Sequence, residues 1–308
     1  MFSISVTSDL LAAFSTVFFI LAIGIGIQRL HPFTEDTLRQ LTQLVMDILL
    51  PIYLFYVTAA STDPKALLAT PKLIIVGILV PLISLLLAVI FSKFAKVDRT
   101  QQPAFRFSAM LGNTSFLGIP ICASLFGATG AVYAVLYDFG TSLIIFTVGV
   151  WILSSRRIVN WRALVVNPFI VAVVLGLGWV WLGWELPEWF ARPLSTLGSA
   201  TTPMALLLVG AHLGKFRSYE GGQARPIAWL AAIRLVLTPI IVVAAMQIVS
   251  LDDLFAGVVI VESAMPVGLL TAIMAHGFGL DAGLPSAAIL WSTLGLAITL
   301  PVLVILFV

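Results

Sequence analysis

Four ionisable side chains stand inside stretches that are otherwise apolar: Asp47, Asp138, Arg234 and Glu262. A charge near the centre of a bilayer costs about 2.5–3.5 kcal/mol on insertion scales, so residues of this kind usually serve a purpose. A buried carboxylate takes up a proton as its pKa rises, or offers hard oxygen to a small cation. A guanidinium matches a carboxylate through two parallel hydrogen bonds, so Arg234 can neutralise an anionic cargo. The plainer alternative is internal pairing, with Arg234 as partner to Asp138 or Glu262. Asp138 lies in YDFGTS, where Thr141 and Ser142 follow one turn on and make a second polar cluster.

Two motifs supply the setting for these charges. Residues 112–120 read GNTSFLGIP, which brings the polar Asn113, Thr114 and Ser115 together with the weak helix formers Gly112, Gly118 and Pro120. Proline removes a backbone donor and crowds the carbonyl four residues earlier, so Pro120 should free the carbonyl of Phe116. In VESAMPVG, Pro266 should likewise free the carbonyl of Glu262, with Gly268 just beyond. Unsatisfied backbone survives in a membrane only where it is buried in protein or lines a watery cavity. Broken half-helices also present partial positive and negative ends to anions and cations.

The elements that must hold these residues follow from composition. The chain has 308 residues, is 60% hydrophobic and 10% charged, and has a mean hydropathy of +1.12. Soluble proteins carry about 25% charged residues, so this is a polytopic membrane protein. Ten stretches are long and apolar enough to span: 9–27, 38–60, 72–95, 104–126, 129–153, 163–182, 193–213, 226–249, 253–276 and 284–307. The expected fold class is all-α, with ten transmembrane helices.

Basic residues orient the spans, because cytoplasmic loops carry the Lys/Arg excess. Arg29, Arg39, Lys93, Lys96, Arg99, Arg106, Arg156, Arg157, Arg162, Lys215, Arg217 and Arg225 fall on one side, against Lys65, Lys72 and Arg192 on the other. That bias places both termini outside. No Lys or Arg precedes the first apolar run, which argues against a cleaved signal peptide.

The loop SSRRIVNWR divides the chain into 1–155 and 156–308, each with five spans. An odd number makes the second group an inverted repeat of the first, a hallmark of secondary transporters. Pro51 and Pro203, Pro81 and Pro239, and Pro120 and Pro266 echo one another in order, at offsets between 146 and 158 residues.

GNTSFLGIPI, VESAMPVGLL and the five-plus-five layout resemble the auxin efflux carrier family, and in particular its short-looped bacterial members. The resemblance covers essentially the whole chain. It implies a fold similar to bile-acid symporters and sodium/proton antiporters. Spans 1, 2, 6 and 7 then form a scaffold, and spans 3–5 and 8–10 a moving core. Helices 4 and 9 would cross at Pro120 and Pro266 beside the substrate, with Met265 adjoining and Asn113, Thr114, Ser115 and Gly118 nearby. Glu262 would couple a sodium ion or a proton, helped by Asn113 and Thr114. Asp47 would face the cargo from the scaffold. The resemblance further implies a bacterial inner-membrane location, a dimer through the scaffold and a small organic anion as cargo, carboxylates being assigned to bacterial relatives. Plant members carry Asn-Pro-Asn at the crossovers, whereas this chain has Ile119-Pro120-Ile121 and Met265-Pro266-Val267. Auxin itself is therefore not the expected cargo.

Other classes fit less well. Tyr137-Asp138 suggests an intramembrane aspartyl protease, but the partner motif fails: Asp281 in Gly277-Phe278-Gly279-Leu280-Asp281 falls one place late and in a loop. Neither HExxH nor GxSxG occurs. His212 and His276 lack ligand-spaced neighbours, so no transition-metal site is expected, and no cofactor beyond a coupling ion. Basic residues are spread over loops, which excludes a nucleic-acid partner. The single Cys122 gives no disulfide and packs as a small residue. Trp179, Trp181, Trp184 and Trp189 read as anchors at one lipid interface. A channel, or an uncoupled uniporter, is the remaining alternative.

Overall fold

In a computed structural model the described residues are 4–60, 64–154, 168–215, 223–248 and 252–308. Arg156, Arg157, Arg162 and Arg217, which contribute to the charge bias, lie outside them. The described chain is helical, and no strand occurs among these residues; one isolated antiparallel bridge pairs Gly112 with Val267. Eleven helical elements carry the argument. In order they are α1 (Ile4–Leu30), α2 (Glu35–Ala59), α3 (Pro64–Phe91), α4 (Gln102–Met110), α5 (Thr114–Leu153) and α6 (Pro168–Trp181). They continue with α7 (Glu188–Lys215), α8 (Ala224–Gln247), α9 (Asp253–Ser263), α10 (Leu270–Gly277) and α11 (Gly283–Phe307). By length and composition, six helices among the described residues suffice to cross a membrane.

At 40 residues α5 is twice the length a single crossing needs. Gly127 breaks it, at φ 68° and ψ −158°, a backbone conformation open to glycine and not to residues with a Cβ. Four wide, π-type turns interrupt the helices: Val45–Leu49, Thr114–Gly118, Ile145–Gly149 and Ile233–Leu237. Three of them end two residues before a proline, at Pro51, Pro120 and Pro239. Widening the preceding turn relieves the carbonyl that a proline ring would strike, so these helices continue past the proline.

The chain forms two compact units. The first comprises Met1–Pro71, Ser115–Phe139 and Trp161–Lys215; the second comprises Lys72–Thr114, Gly140–Asn160 and Phe216–Val308. In the first, α1 packs on α7 with backbone touching backbone. A Cβ added to Gly24 would sit 2.2 Å from the Leu207 carbonyl oxygen, and one on Gly210 would sit 2.2 Å from that of Leu21. Small residues permit this approach, which is how membrane helices associate without a hydrophobic driving force. α6 packs on α2 with Gly176 against Thr58, and α7 closes on α2 through Gly198 against Tyr53. Thr201 donates to the carbonyl of Leu49 at 3.1 Å. Leu38, Val45, Leu49, Ala205, Leu208 and Ala211 form the core between α2 and α7. The Lys215–Glu35 ion pair closes one end.

In the second unit Gly140 lies against the backbone of Ile74 and Gly77, and Thr141 donates to the Gly77 carbonyl at 3.1 Å. Phe107, Met110, Leu111, Ile144, Ile145 and Leu153 form its core. Phe91 of α3 stacks on Trp229 of α8 at a centroid distance of 4.6 Å.

Candidate functional site

The second unit contains two interrupted spans that meet. α4 ends at Met110 and the chain runs extended through Leu111–Asn113 before turning helical again. α9 ends at Ser263, and residues 264–269 are non-helical until α10 begins. The two breaks lie antiparallel and share two backbone bonds: Asn113 N–H to the Pro266 carbonyl at 2.8 Å, and Gly268 N–H to the Leu111 carbonyl at 2.9 Å. Groups that a helix would have satisfied internally are thus satisfied by the other break. Gly268 permits the approach, since a Cβ there would sit 3.0 Å from the Gly112 carbonyl oxygen. Val267 N–H finds Ser292 of α11 at 3.0 Å.

This arrangement corrects the expected break in span 4. The helix opens at Gly112; Gly118 is buried as the last residue of the wide turn Thr114–Gly118, and Pro120 is buried in the continuous helix behind it. A proline opens a helix only when nothing else absorbs its clash, and here the wide turn absorbs it. Pro266 does stand in a break. Its predicted effect on Glu262 is also corrected, because the Glu262 carbonyl accepts from Met265 N–H at 3.3 Å.

The carbonyl exposed by the break is that of Met265, and Arg234 takes it. Nε donates at 3.0 Å and Nη2 at 2.8 Å to this one oxygen, while Nη1 donates to Ser84 at 3.2 Å. Ser84 in turn meets Thr238 at 3.0 Å and donates to the Val80 carbonyl. Arg234 is 2% exposed, and Gly112 makes room for it: a Cβ there would lie 2.1 Å from Nη2. Gly112, Ser84, Thr238 and Ser292 were not among the expected site residues. The signal for two of them is polar side chains beside Pro81 and Pro239.

Asn113, Thr114 and Glu262 are buried in the same unit, Glu262 completely. The Asn113 side-chain amide nitrogen is buried and has no hydrogen-bond partner among the described residues. Ser115 belongs to the first unit, where its hydroxyl meets both carboxylate oxygens of Asp138 at 2.9 Å each. Asp138 is buried, whereas Asp47, within the wide turn of α2, is exposed. No cluster of three metal-ligating His, Cys, Asp or Glu occurs among the described residues.

Helices long and apolar enough to span, with paired breaks around a buried arginine among the described residues, fit a multi-pass membrane transporter. The family is settled by comparison: residues 10–304 match the model described as membrane transport protein, the auxin efflux carrier family, and the chain belongs to it. An uncharacterised transporter of Methanothermobacter thermautotrophicus is 24% identical over 296 residues, covering 93% of this chain and 94% of its own length. One of Methanocaldococcus jannaschii is 26% identical over 271 residues, 84% of this chain and 86% of its own. Auxin efflux carrier component 1 of Arabidopsis thaliana is 25% identical over 155 residues, 49% of this chain and 24% of its own.

Proposed function

We propose that the chain is a secondary carrier of a small organic anion, a carboxylate, working by alternating access with the cargo at the paired breaks. The observation that carries this reading is a buried guanidinium and an Asn113 amide without a partner among the described residues, both in the unit that holds those breaks. Arg234, held on the Met265 carbonyl, adds positive charge to the break and Asn113 adds a donor, a low-dielectric setting that suits a carboxylate. Asn113, Thr114, Met265, Pro266 and Arg234 are assigned to the cargo from the second unit.

Ten passes in two inverted repeats are part of the proposal, with support from packing. α1 on α7 and α6 on α2 are the same pairing once spans are exchanged by five. Spans 1, 2, 6 and 7 fall in the first unit, which agrees with a scaffold, while Ser115–Phe139 of spans 4 and 5, expected in the moving core, groups with them. We assign both termini to the outside of a bacterial inner membrane, with a dimer formed through the scaffold. Glu262, with Asn113 and Thr114, is assigned to a coupling ion, sodium or proton; the uncoupled uniporter is the alternative.

The test is uptake by purified protein in liposomes, screening dicarboxylates, monocarboxylates and aromatic acids with and without sodium and across pH. Saturable uptake with counterflow supports the carrier. Unsaturable, ohmic flux refutes it, and uptake indifferent to sodium and pH selects the uniporter.

A further inference from the structure

We infer that Arg234 is a tethered cation, standing where the broken end of α9 would otherwise recruit a free one. The carbonyl end of a helix carries partial negative charge, and broken helices in carriers commonly offer such ends to sodium or protons. Here the carbonyl past the end of α9, that of Met265, already receives two N–H groups of one guanidinium, at 3.0 and 2.8 Å. An N–H fork converging on one oxygen supplies the charge that a coordinated ion would.

The surroundings are built for that fork. Gly112 leaves the space that Nη2 occupies, since any Cβ would intrude to 2.1 Å. Ser84 receives Nη1 at 3.2 Å and is itself held by Thr238 at 3.0 Å. The wide turn Ile233–Leu237 carries Arg234, and Pro239 follows it two residues on. Two helices, α3 and α8, and both breaks therefore converge on a positive charge that cannot dissociate. The consequence for coupling, which rests on the carrier reading, is that sodium has no role at this end of α9. Glu262 is left to act with a proton or not at all.

Thermal unfolding of the purified protein in detergent tests the site without knowledge of the cargo. Melting is followed in sodium, potassium, choline and guanidinium chlorides at equal millimolar concentration. The unaltered protein should melt at one temperature in all four. Arg234→Ala should melt roughly 5 °C lower, a shift typical of losing one buried polar anchor in a chain of this size. Guanidinium, and not choline, should then restore more than half of that loss by occupying the vacated space. Selective stabilisation of the unaltered protein by sodium would overturn the inference, and so would an Arg234→Ala protein that does not respond selectively to guanidinium. Should Arg234→Ala yield no folded protein, Arg234→Lys keeps one ammonium within reach of the carbonyl. It should melt below the unaltered protein and remain indifferent to sodium; a sodium response would again overturn the inference. Failure of the transport reading would leave all of these curves unchanged.

Discussion

Replacing Gly112 with alanine isolates the contact on which the break depends. The new Cβ would lie 2.1 Å from Nη2 and 2.9 Å from Cζ of Arg234. Carbon contacts are comfortable only from about 3.5 Å, so the guanidinium must retreat by more than about 1 Å. The Nη2 bond to Met265, now 2.8 Å, is then lost and the Nε bond is strained. A hydrogen bond from a charged donor contributes about 1.5–3 kcal/mol. Alanine returns about 0.4–1 kcal/mol by restricting the unfolded chain, because Gly112 does not have a positive φ. The balance is a loss of about 1–2 kcal/mol, or a melting temperature lowered by about 2–8 °C. Gly26→Ala is the control: none of the described residues lies within 4 Å of its added Cβ, so its melting temperature should hold or rise. In an Arg234→Ala background the cost of Gly112→Ala should vanish, since its only tight neighbour among the described residues is gone. A drop that persists undiminished in that background refutes the reasoning.

Further outcomes follow from contacts elsewhere. Ser115→Ala removes the hydroxyl that meets both Asp138 oxygens and should cost about 1–3 kcal/mol, with Ser115→Thr restoring much of it, as denaturant titration would show. Gly24→Leu forces a side chain into the Leu207 carbonyl, an immovable backbone atom, and should abolish accumulation of folded protein in membranes while Gly26→Leu does not. Asn113→Ala should leave melting near that of the unaltered protein but raise the KM for cargo roughly tenfold, the worth of about one hydrogen bond. Glu262→Gln should flatten the pH dependence of uptake; an unchanged profile removes Glu262 from coupling.

Much of this protein is legible in its sequence because a bilayer restricts the choices. Hydropathy marks the helices, and the intramembrane charges mark where to look for a site. The break in span 4 lies away from its expected place for a specific reason. A proline reads as the breaker, yet Pro120 is served by a wide turn, while Gly112 opens the helix with no forbidden residue present. The offsets held a clue. Pro51 and Pro203 stand 152 residues apart and Pro81 and Pro239 stand 158 apart, whereas Pro120 and Pro266 stand 146 apart. Gly112 and Val267, the residues that meet, stand 155 apart, between the first two values. Arg234 was legible as a charge in need of partners, but its partners were not. A backbone carbonyl has no signature in the sequence, and neither has an empty space above a glycine. Ser115 as the companion of Asp138 was equally hidden, since 23 residues separate them and Gly127 redirects the chain between.

The backbone bridge at Gly112 and Val267 also bears on how the protein is made. Leu111 and Asn113 find their backbone partners in Gly268 and Pro266, which are synthesised some 155 residues later. At about 5–20 residues per second, the first break waits roughly 8–30 seconds for the second. An unsatisfied backbone group in lipid costs several kcal/mol, so the nascent first half cannot simply rest in the bilayer in its final form. It must stay near water, be shielded by the insertion machinery, or hold a temporary regular helix that opens when span 9 arrives. The absence of a proline at residues 111–113 makes the last route chemically available: Gly112 can close into a helix and later be drawn out of it.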